Sequence, residues 1–200
     1  MLTPTCTRCG QTGKDVYIFN PATSTYTCEA CHEGAQVEPI DWNNPNQHIT
    51  EHFTVREALL LPRWNLLHMP SPTEQDNIVR MAGLMESVRE VFDKPLHVHC
   101  WIRPERANLL HPANGPSPFA LQGASYNALV GGASTSWHRV GRAVDFHVDG
   151  MESVADCHKA REILLPLLKP LGLRMEDKEG GWVHLDNGPV GASGRRFFKP

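Results

Sequence analysis

The chain contains no apolar run that approaches the roughly 20 residues needed to cross a bilayer, so the sequence offers no candidate membrane span. Its first residues, MLTPTCTRCG, have neither the positively charged start nor the apolar stretch of a secretory signal peptide. Both absences predict a protein made in soluble form in the cytoplasm. Another component would then have to carry it to any site of action outside the membrane.

An excess of positive charge is also missing. Among 200 residues, 19 are Lys or Arg and 22 are Asp or Glu, which gives a net charge of −3 at pH 7. This balance argues against a bulk electrostatic grip on nucleic acid or on an anionic membrane, so we expect no nucleic-acid partner. The hydrophobic fraction of 40% is enough for a folded core, and the length suits one domain with a small appendage.

Four of the six cysteines form two closely spaced pairs near the start of the chain, in the stretches CTRC and CEAC, with eighteen residues between them. The four are Cys6, Cys9, Cys28 and Cys31. This spacing is typical of a structural zinc ribbon, in which two thiolate pairs close a tetrahedral site around a hairpin. Disulfides are the weaker alternative because no export signal is present. The other two, Cys100 and Cys157, lie in apolar or helical contexts and are predicted to be core thiols.

The composition divides the chain into three parts. Residues 1–36 hold the predicted zinc ribbon, residues 37–52 form a polar linker, and residues 53–200 form the main domain. In the main domain, capping-box sequences at Thr54 and Ser71 predict the starts of two helices. Alternating apolar and polar residues predict strands in PLHVHCWI, AVDFHV, LGLRME and GWVHLD. This order of elements predicts an α+β fold, with a mostly antiparallel sheet and helices packed on it.

A carboxylate in the middle of an apolar strand marks the first candidate site. In AVDFHV, Asp145 lies between apolar neighbours and needs a partner if it is shielded from water. A turn at Gly141 would bring His138 beside it, and a divalent metal would stabilise both groups. Zinc accepts imidazole and carboxylate ligands, and His184 in a later strand offers a third ligand. Taken alone, a His-x6-Asp pair with a distant histidine is a weak signal for a metal site.

Four longer stretches strengthen this interpretation. FTVREALL, WIRPERAN, YNALVGGASTSWHRVGRAVDF and GWVHLD occur in the order in which they appear in the LAS-type zinc peptidases, which the chain resembles over roughly Phe53 to Asp186. That family includes D-Ala-D-Ala carboxypeptidases and dipeptidases, phage L-alanyl-D-glutamate endolysins and the hedgehog signalling domain. Its core pattern is S-x-H-x6-D followed by a distant W-x-H. The resemblance implies a hedgehog-like, D-Ala-D-Ala peptidase-like fold, whereas the N-terminal ribbon is not part of the pattern.

The resemblance also implies roles for individual residues. His138, Asp145 and His184 would be the ligands of a catalytic zinc. The chain would then carry two zinc ions, one catalytic and one structural. Ser136, two residues before the first ligand, would orient the substrate or the ligands. Arg103, in the position of the family's upstream arginine, would hold a substrate carbonyl or carboxylate.

The general base is less clearly marked. Many family members place Glu or Asp three residues before the last histidine, but here that position is Gly181. The candidates are Glu176, Asp177 and Glu179. Glu176 is preferred because it ends the strand LGLRME, the arrangement of hedgehog-like members. Glu179 is closer to the histidine in sequence but lies on a turn beside two glycines.

The resemblance implies a zinc-dependent peptidase, a carboxypeptidase or an endopeptidase of murein, that hydrolyses D-amino-acid-containing stem or cross-link peptides. A phage endolysin acting on the cell wall fits this description and the missing signal peptide. The alternatives are a peptidase of a protein other than murein and a zinc-containing binding module. His97, His99 and His147 share the polar side of the predicted strands, which favours ordinary strand polarity or a role around the metal.

Overall fold

The computed structural model describes residues 39–109, 121–178 and 180–199, together with the backbone of two short strands near the N-terminus. These strands, β1 (Ile18–Asn20) and β2 (Thr25–Thr27), pair antiparallel, which confirms the hairpin expected between the two cysteine pairs. The predicted thiolate ligands and Glu179 lie outside the described residues. The ligands concerned are Cys6, Cys9, Cys28 and Cys31.

The main domain is built on a five-stranded sheet with the strand order β5-β6-β8-β7-β9. Its strands are β5 (Leu96–Cys100), β6 (Ala143–Val148), β7 (Arg174–Glu176), β8 (Val183–Asp186) and β9 (Phe197–Phe198). All neighbours pair antiparallel except β7 and β9, which are parallel. A separate antiparallel pair is formed by β3 (Leu60–Leu61) and β4 (Leu66–Leu67). The chain is therefore an α+β protein with a mostly antiparallel sheet, as predicted.

Five α-helices accompany these strands in the described ranges. They are α1 (Val55–Leu59), α2 (Pro72–Phe92), α3 (Tyr126–Leu129), α4 (Val154–Leu164) and α5 (Leu168–Leu171). One-turn 3-10 helices cover Trp137–Val140 and Leu165–Leu167. Within these ranges, no helix is both long enough and apolar enough to cross a membrane.

Both predicted capping boxes are present. The Thr54 hydroxyl accepts a hydrogen bond from the backbone N–H of Glu57, and the Glu57 carboxylate accepts one from the backbone N–H of Thr54. Ser71 and Glu74 form the same reciprocal pair at the start of α2. Each box satisfies N–H groups that have no partner inside the helix, which is why both helices begin where the sequence indicates.

One continuous core joins the long helix to the sheet. The apolar stripe of α2 contributes Ile78, Met81, Ala82, Met85 and Val88, which are all fully buried. The sheet contributes the apolar positions of β6, which belong to the same cluster as the stripe: Val144, Phe146 and Val148. Because side chains alternate along a strand, the residues between these positions face the opposite side of β6. The candidate site lies on that opposite, polar face.

The last residues of the expected linker are packed against the main domain. Thr50 is buried, and its hydroxyl donates a hydrogen bond of 2.6 Å to the carboxylate of Glu86 in α2. The backbone N–H of His52 donates to the same carboxylate at 2.9 Å. These contacts fix the chain direction immediately before α1.

Candidate metal centre

Asp145 lies in the middle of β6, a strand with a partner on each side. His184 of β8 is directly opposite Asp145 on one side, and Cys100 of β5 is opposite it on the other. The Asp145 side chain is buried, with 12% of its surface exposed. The register of the sheet therefore places an imidazole and a thiol, two side chains that can bind metals, on the strands next to this carboxylate.

His138 reaches the same point from the 3-10 helix that precedes β6. The helix ends at Gly141, whose φ of +75° is the left-handed conformation that glycine adopts readily. A Cβ at this glycine would also lie 2.7 Å from a side-chain carbon of Ile78, so no larger residue fits without movement. These observations confirm the turn predicted at Gly141. The backbone N–H of Arg103 donates to the His138 carbonyl at 2.9 Å and holds the turn against the end of β5.

The surroundings of the His138 ring determine its tautomer and its protonation state. His138 is fully buried, and its Nδ1 lies 2.9 Å from the carbonyl oxygen of Trp101. A carbonyl can only accept, so Nδ1 carries the proton and donates it. Burial is the main cause that lowers the pKa of His138 below its ordinary value, which leaves the ring neutral. A neutral ring with its proton on Nδ1 presents a lone pair on Nε2, the form that binds a metal.

Three potential ligand atoms converge at one point. Nε2 of His138 lies 3.1 Å from Oδ1 of Asp145 and 3.1 Å from Nδ1 of His184, and the last two atoms are 2.7 Å apart. Atoms about 2.0 Å from a tetrahedral zinc ion are about 3.3 Å from one another. The three separations are therefore close to those of three ligands that share one ion.

The ionised carboxylate of Asp145 is balanced by one positive charge held between the three converging atoms. Burial alone would raise the pKa of Asp145, but the hydrogen bond and the positive charge of His184 hold it well below its usual range, so the carboxylate is ionised. Burial alone would lower the pKa of His184, but hydrogen bonds to Asp145 and Asp186 outweigh it and raise this pKa to about 9. One proton on His184, or one cation in its place, balances the site.

A second layer of residues orients His184. Its Nε2 lies 3.5 Å from Oδ2 of Asp186, a carboxylate with only 1% of its surface exposed. Arg174 donates two hydrogen bonds to the two oxygens of Asp186, at 2.7 and 3.0 Å, and the backbone N–H of Gly188 donates a third at 2.7 Å. Metal-binding histidines in proteins usually donate the N–H that does not face the metal to a carboxylate, a backbone carbonyl or a water molecule. The arrangement leaves Nδ1 of His184 to face the centre.

Cys100 joins the cluster although its sequence context predicted a core thiol. Its sulfur, Nε2 of His138 and a carboxylate oxygen of Asp145 lie within 4.8 Å of one another, so these three residues could hold a metal ion. Burial and the nearby charge of Asp145 raise the pKa of the Cys100 thiol to about 12, so without an ion it stays protonated. Cys157, by contrast, is fully buried in the core cluster, as predicted.

Arg103 and Ser136 meet beside His138. Nη2 of Arg103 donates to the Ser136 hydroxyl at 3.3 Å, and the same hydroxyl accepts the backbone N–H of His138 at 3.4 Å. Nε of Arg103 is buried and has no hydrogen-bond partner among the residues that the structure describes. A positively charged group with an unused donor is therefore held, through Ser136, beside the backbone of His138.

The assignment of Glu176 as the general base stays a prediction. Arg174 of β7 is paired with Asp186 of β8, so Glu176 and His184, each two residues away, share the same face of the sheet. No hydrogen bond joins the side chain of Glu176 to His184 or to the other converging residues in the described part of the chain. Asp177 follows β7 and is half-buried.

Comparisons with family models, with curated proteins and with solved structures found no match to this chain.

Proposed function

We propose that the chain is a zinc-dependent peptidase that hydrolyses peptide bonds in peptidoglycan, in stem or cross-link peptides that contain D-amino acids. The observation that carries the proposal is the convergence of His138, Asp145 and His184, whose facing atoms are separated by 2.7 to 3.1 Å. The substrate class comes from the resemblance to the LAS-type zinc peptidases.

The donor set suits a catalytic zinc site. Two imidazole nitrogens and one carboxylate oxygen are three protein ligands, and a catalytic zinc site uses three and keeps one position for water or substrate. A zinc ion held there supplies a Lewis acid that polarises a carbonyl group and lowers the pKa of water. In this proposal His138 binds through Nε2, His184 through Nδ1 and Asp145 through Oδ1.

Arg103 and Ser136 supply the substrate contacts of the proposal. The guanidinium of Arg103 would donate hydrogen bonds to the oxygen of the scissile carbonyl, where negative charge develops during the reaction. Ser136 holds this guanidinium through its hydroxyl and also binds the backbone N–H of His138. One side chain thus fixes the distance between the positive charge and the metal ligand, which is the preorganisation that such stabilisation requires.

Glu176 is the proposed general base. It would accept a proton from the attacking water and pass that proton to the leaving amine. Its support is its place at the end of β7, on the same face of the sheet as His184.

Cys100 favours a second candidate function, a zinc-containing binding module. If the Cys100 sulfur were a fourth ligand, the centre would be closed by four protein ligands, and closed sites are structural rather than catalytic. Its position opposite Asp145, with its sulfur within 4.8 Å of the ligand atoms of His138 and Asp145, is the observation behind this alternative.

Digestion of purified murein by the full chain, with and without a metal chelator, tests the proposal. We expect the chain to release soluble muropeptides and the chelator to stop the release. A Cys100→Ser variant separates the two candidates, with Cys157→Ser as the control for loss of a thiol elsewhere. If Cys100 is not a ligand, both variants keep their metal and their activity.

A zinc-containing binding module predicts a different result. In that case Cys100→Ser loses metal and stability while Cys157→Ser does not, and the wild-type chain releases nothing from murein. Chelator-sensitive hydrolysis of a protein substrate, with no attack on murein, would instead favour a peptidase of another substrate.

A further inference from the structure

Three imidazole rings lie together on the polar face of the sheet, beside the candidate metal centre. Nδ1 of His147, in β6, lies only 2.7 Å from Nε2 of His99, in β5. The ring of His97 stacks on the ring of His147, with 4.8 Å between their centres and 28° between their planes. None of these three side chains contributes a ligand atom to the candidate metal centre, which is called the primary centre below.

A β-bulge produces the close contact. The pairing of β5 with β6 is regular from Leu96 to Val98 and then shifts by one residue, so that Cys100 lies opposite Asp145. His99 is the extra residue at this shift. In a bulge the strand bends and a side chain is re-aimed, and here the ring of His99 meets His147 instead of standing opposite Asp145.

We propose that His99 and His147 form a second binding site for a divalent transition-metal ion. The nitrogens at 2.7 Å would be its two protein ligands. Ligand atoms about 2.0 Å from a tetrahedral ion are about 3.3 Å apart, so a small opening of the pair admits an ion. Imidazole nitrogens suit zinc, copper and nickel, and magnesium and calcium prefer oxygen ligands.

His97 and Asp149 support the pair rather than complete it. Nε2 of His97 lies 3.0 Å from a carboxylate oxygen of Asp149, which holds the His97 ring in place. That ring covers one face of His147 and limits its rotation. Two protein ligands leave the other coordination positions to water, so the ion binds reversibly and more weakly than at the primary centre.

The second site is distinct from the primary centre. Asp145 and His147 are two residues apart in an extended strand, which separates their backbone positions by about 7 Å. Metal ions that share a two-metal active site are only about 3.5–4 Å apart. The ion bound by His99 and His147 is therefore a separate ion on the same face, and its binding does not depend on whether the primary centre hydrolyses peptides.

Equilibrium dialysis of the full, zinc-loaded chain against Ni²⁺ tests the proposal. Dialysis of the zinc-loaded chain against zinc-free buffer leaves zinc only where it binds tightly, so that additional nickel reports weaker sites such as this one. We expect one additional Ni²⁺ ion per chain. His99→Gln and His147→Gln should each weaken its binding by about tenfold or more, whereas His158→Gln, an exposed histidine in α4, should leave it unchanged.

A second readout keeps the test valid if a variant is unstable. With Cu²⁺ in place of Ni²⁺, electron paramagnetic resonance counts the bound nitrogens, and the wild type should show two for this ion. His99→Gln should lose one of them, and because His99 is exposed this variant should fold. The proposal is overturned if the His99→Gln, His147→Gln double variant binds Ni²⁺ as the wild type does. It is also overturned if the wild type binds no additional ion up to about 1 mM, since the two rings then form only a hydrogen bond to each other.

Discussion

Substitution of Asp186 by Asn tests the second layer of the metal centre. The Asp186 carboxylate accepts two hydrogen bonds from Arg174 and faces Nε2 of His184. An asparagine has the same shape, but it has no charge and has only one accepting oxygen. Its NH₂ group must therefore replace one of the two oxygens, and in either orientation it faces a donor of Arg174, together with Nε2 of His184 in one orientation and the Gly188 N–H in the other. Either choice turns an attraction into a repulsion.

The expected loss is one of metal affinity. Removing the group that orients a metal-binding histidine lowers the affinity by about 10- to 100-fold, which corresponds to about 1.4–2.7 kcal/mol. Asp186 is also buried, so the free energy of unfolding should fall by about 1–3 kcal/mol. Zinc affinity must then be measured at a temperature at which the variant is fully folded, by competition with a chromophoric chelator.

Two further variants make the result specific. Asp76→Asn removes an exposed carboxylate in α2 and should leave the zinc affinity unchanged. Arg174→Lys keeps the charge but cannot hold both oxygens of Asp186, so it should give a smaller loss than Asp186→Asn. If a folded Asp186→Asn variant binds zinc within about twofold of the wild type, the carboxylate does not orient His184 for metal binding.

Four other predictions address the centre itself. His138→Ala and Asp145→Ala should each lose the catalytic zinc together with the activity, as elemental analysis would show, because two protein ligands hold zinc poorly. Arg103→Ala should keep its zinc and lower turnover by about 10²-fold, and normal turnover would remove the arginine from the reaction. Glu176→Gln should also keep its zinc while turnover falls by about 10²-fold, and unchanged turnover would pass the role of base to another group. Since the pKa of His184 is about 9, zinc competes with one proton at lower pH. The apparent zinc affinity should therefore rise with pH toward 9 and release one proton per ion, and a pH-independent affinity would contradict this.

Local signals predicted much of the fold and of the centre. The capping boxes at Thr54 and Ser71 fixed the starts of α1 and α2, because they depend only on residues three apart. The alternation in β6 indicated that Asp145 lies on the polar face. The glycine at position 141 indicated the turn that carries His138 to it, because a positive φ strongly favours glycine.

The remaining features depend on strand register, which local patterns do not encode. With regular pairing, His99 would lie opposite Asp145, but the bulge in β5 puts Cys100 there instead. Likewise, the role of Asp186 depends on Arg174 lying opposite it in β7. A polar residue two positions after His184 on the same strand face was the one signal that could have indicated an orienting carboxylate.

Hydrolysis at the metal centre is tested most directly by the zinc-dependent release of new amino groups from purified murein. The full chain should release amino groups, a chelator should stop the release, and added zinc should restore it. The folded Asp145→Ala variant should release none in any of these conditions. Release at the untreated wild-type rate, either by the chelator-treated chain or by the folded Asp145→Ala variant, would contradict hydrolysis at this centre. A zinc-loaded wild-type chain that releases no amino groups from murein would contradict it as well.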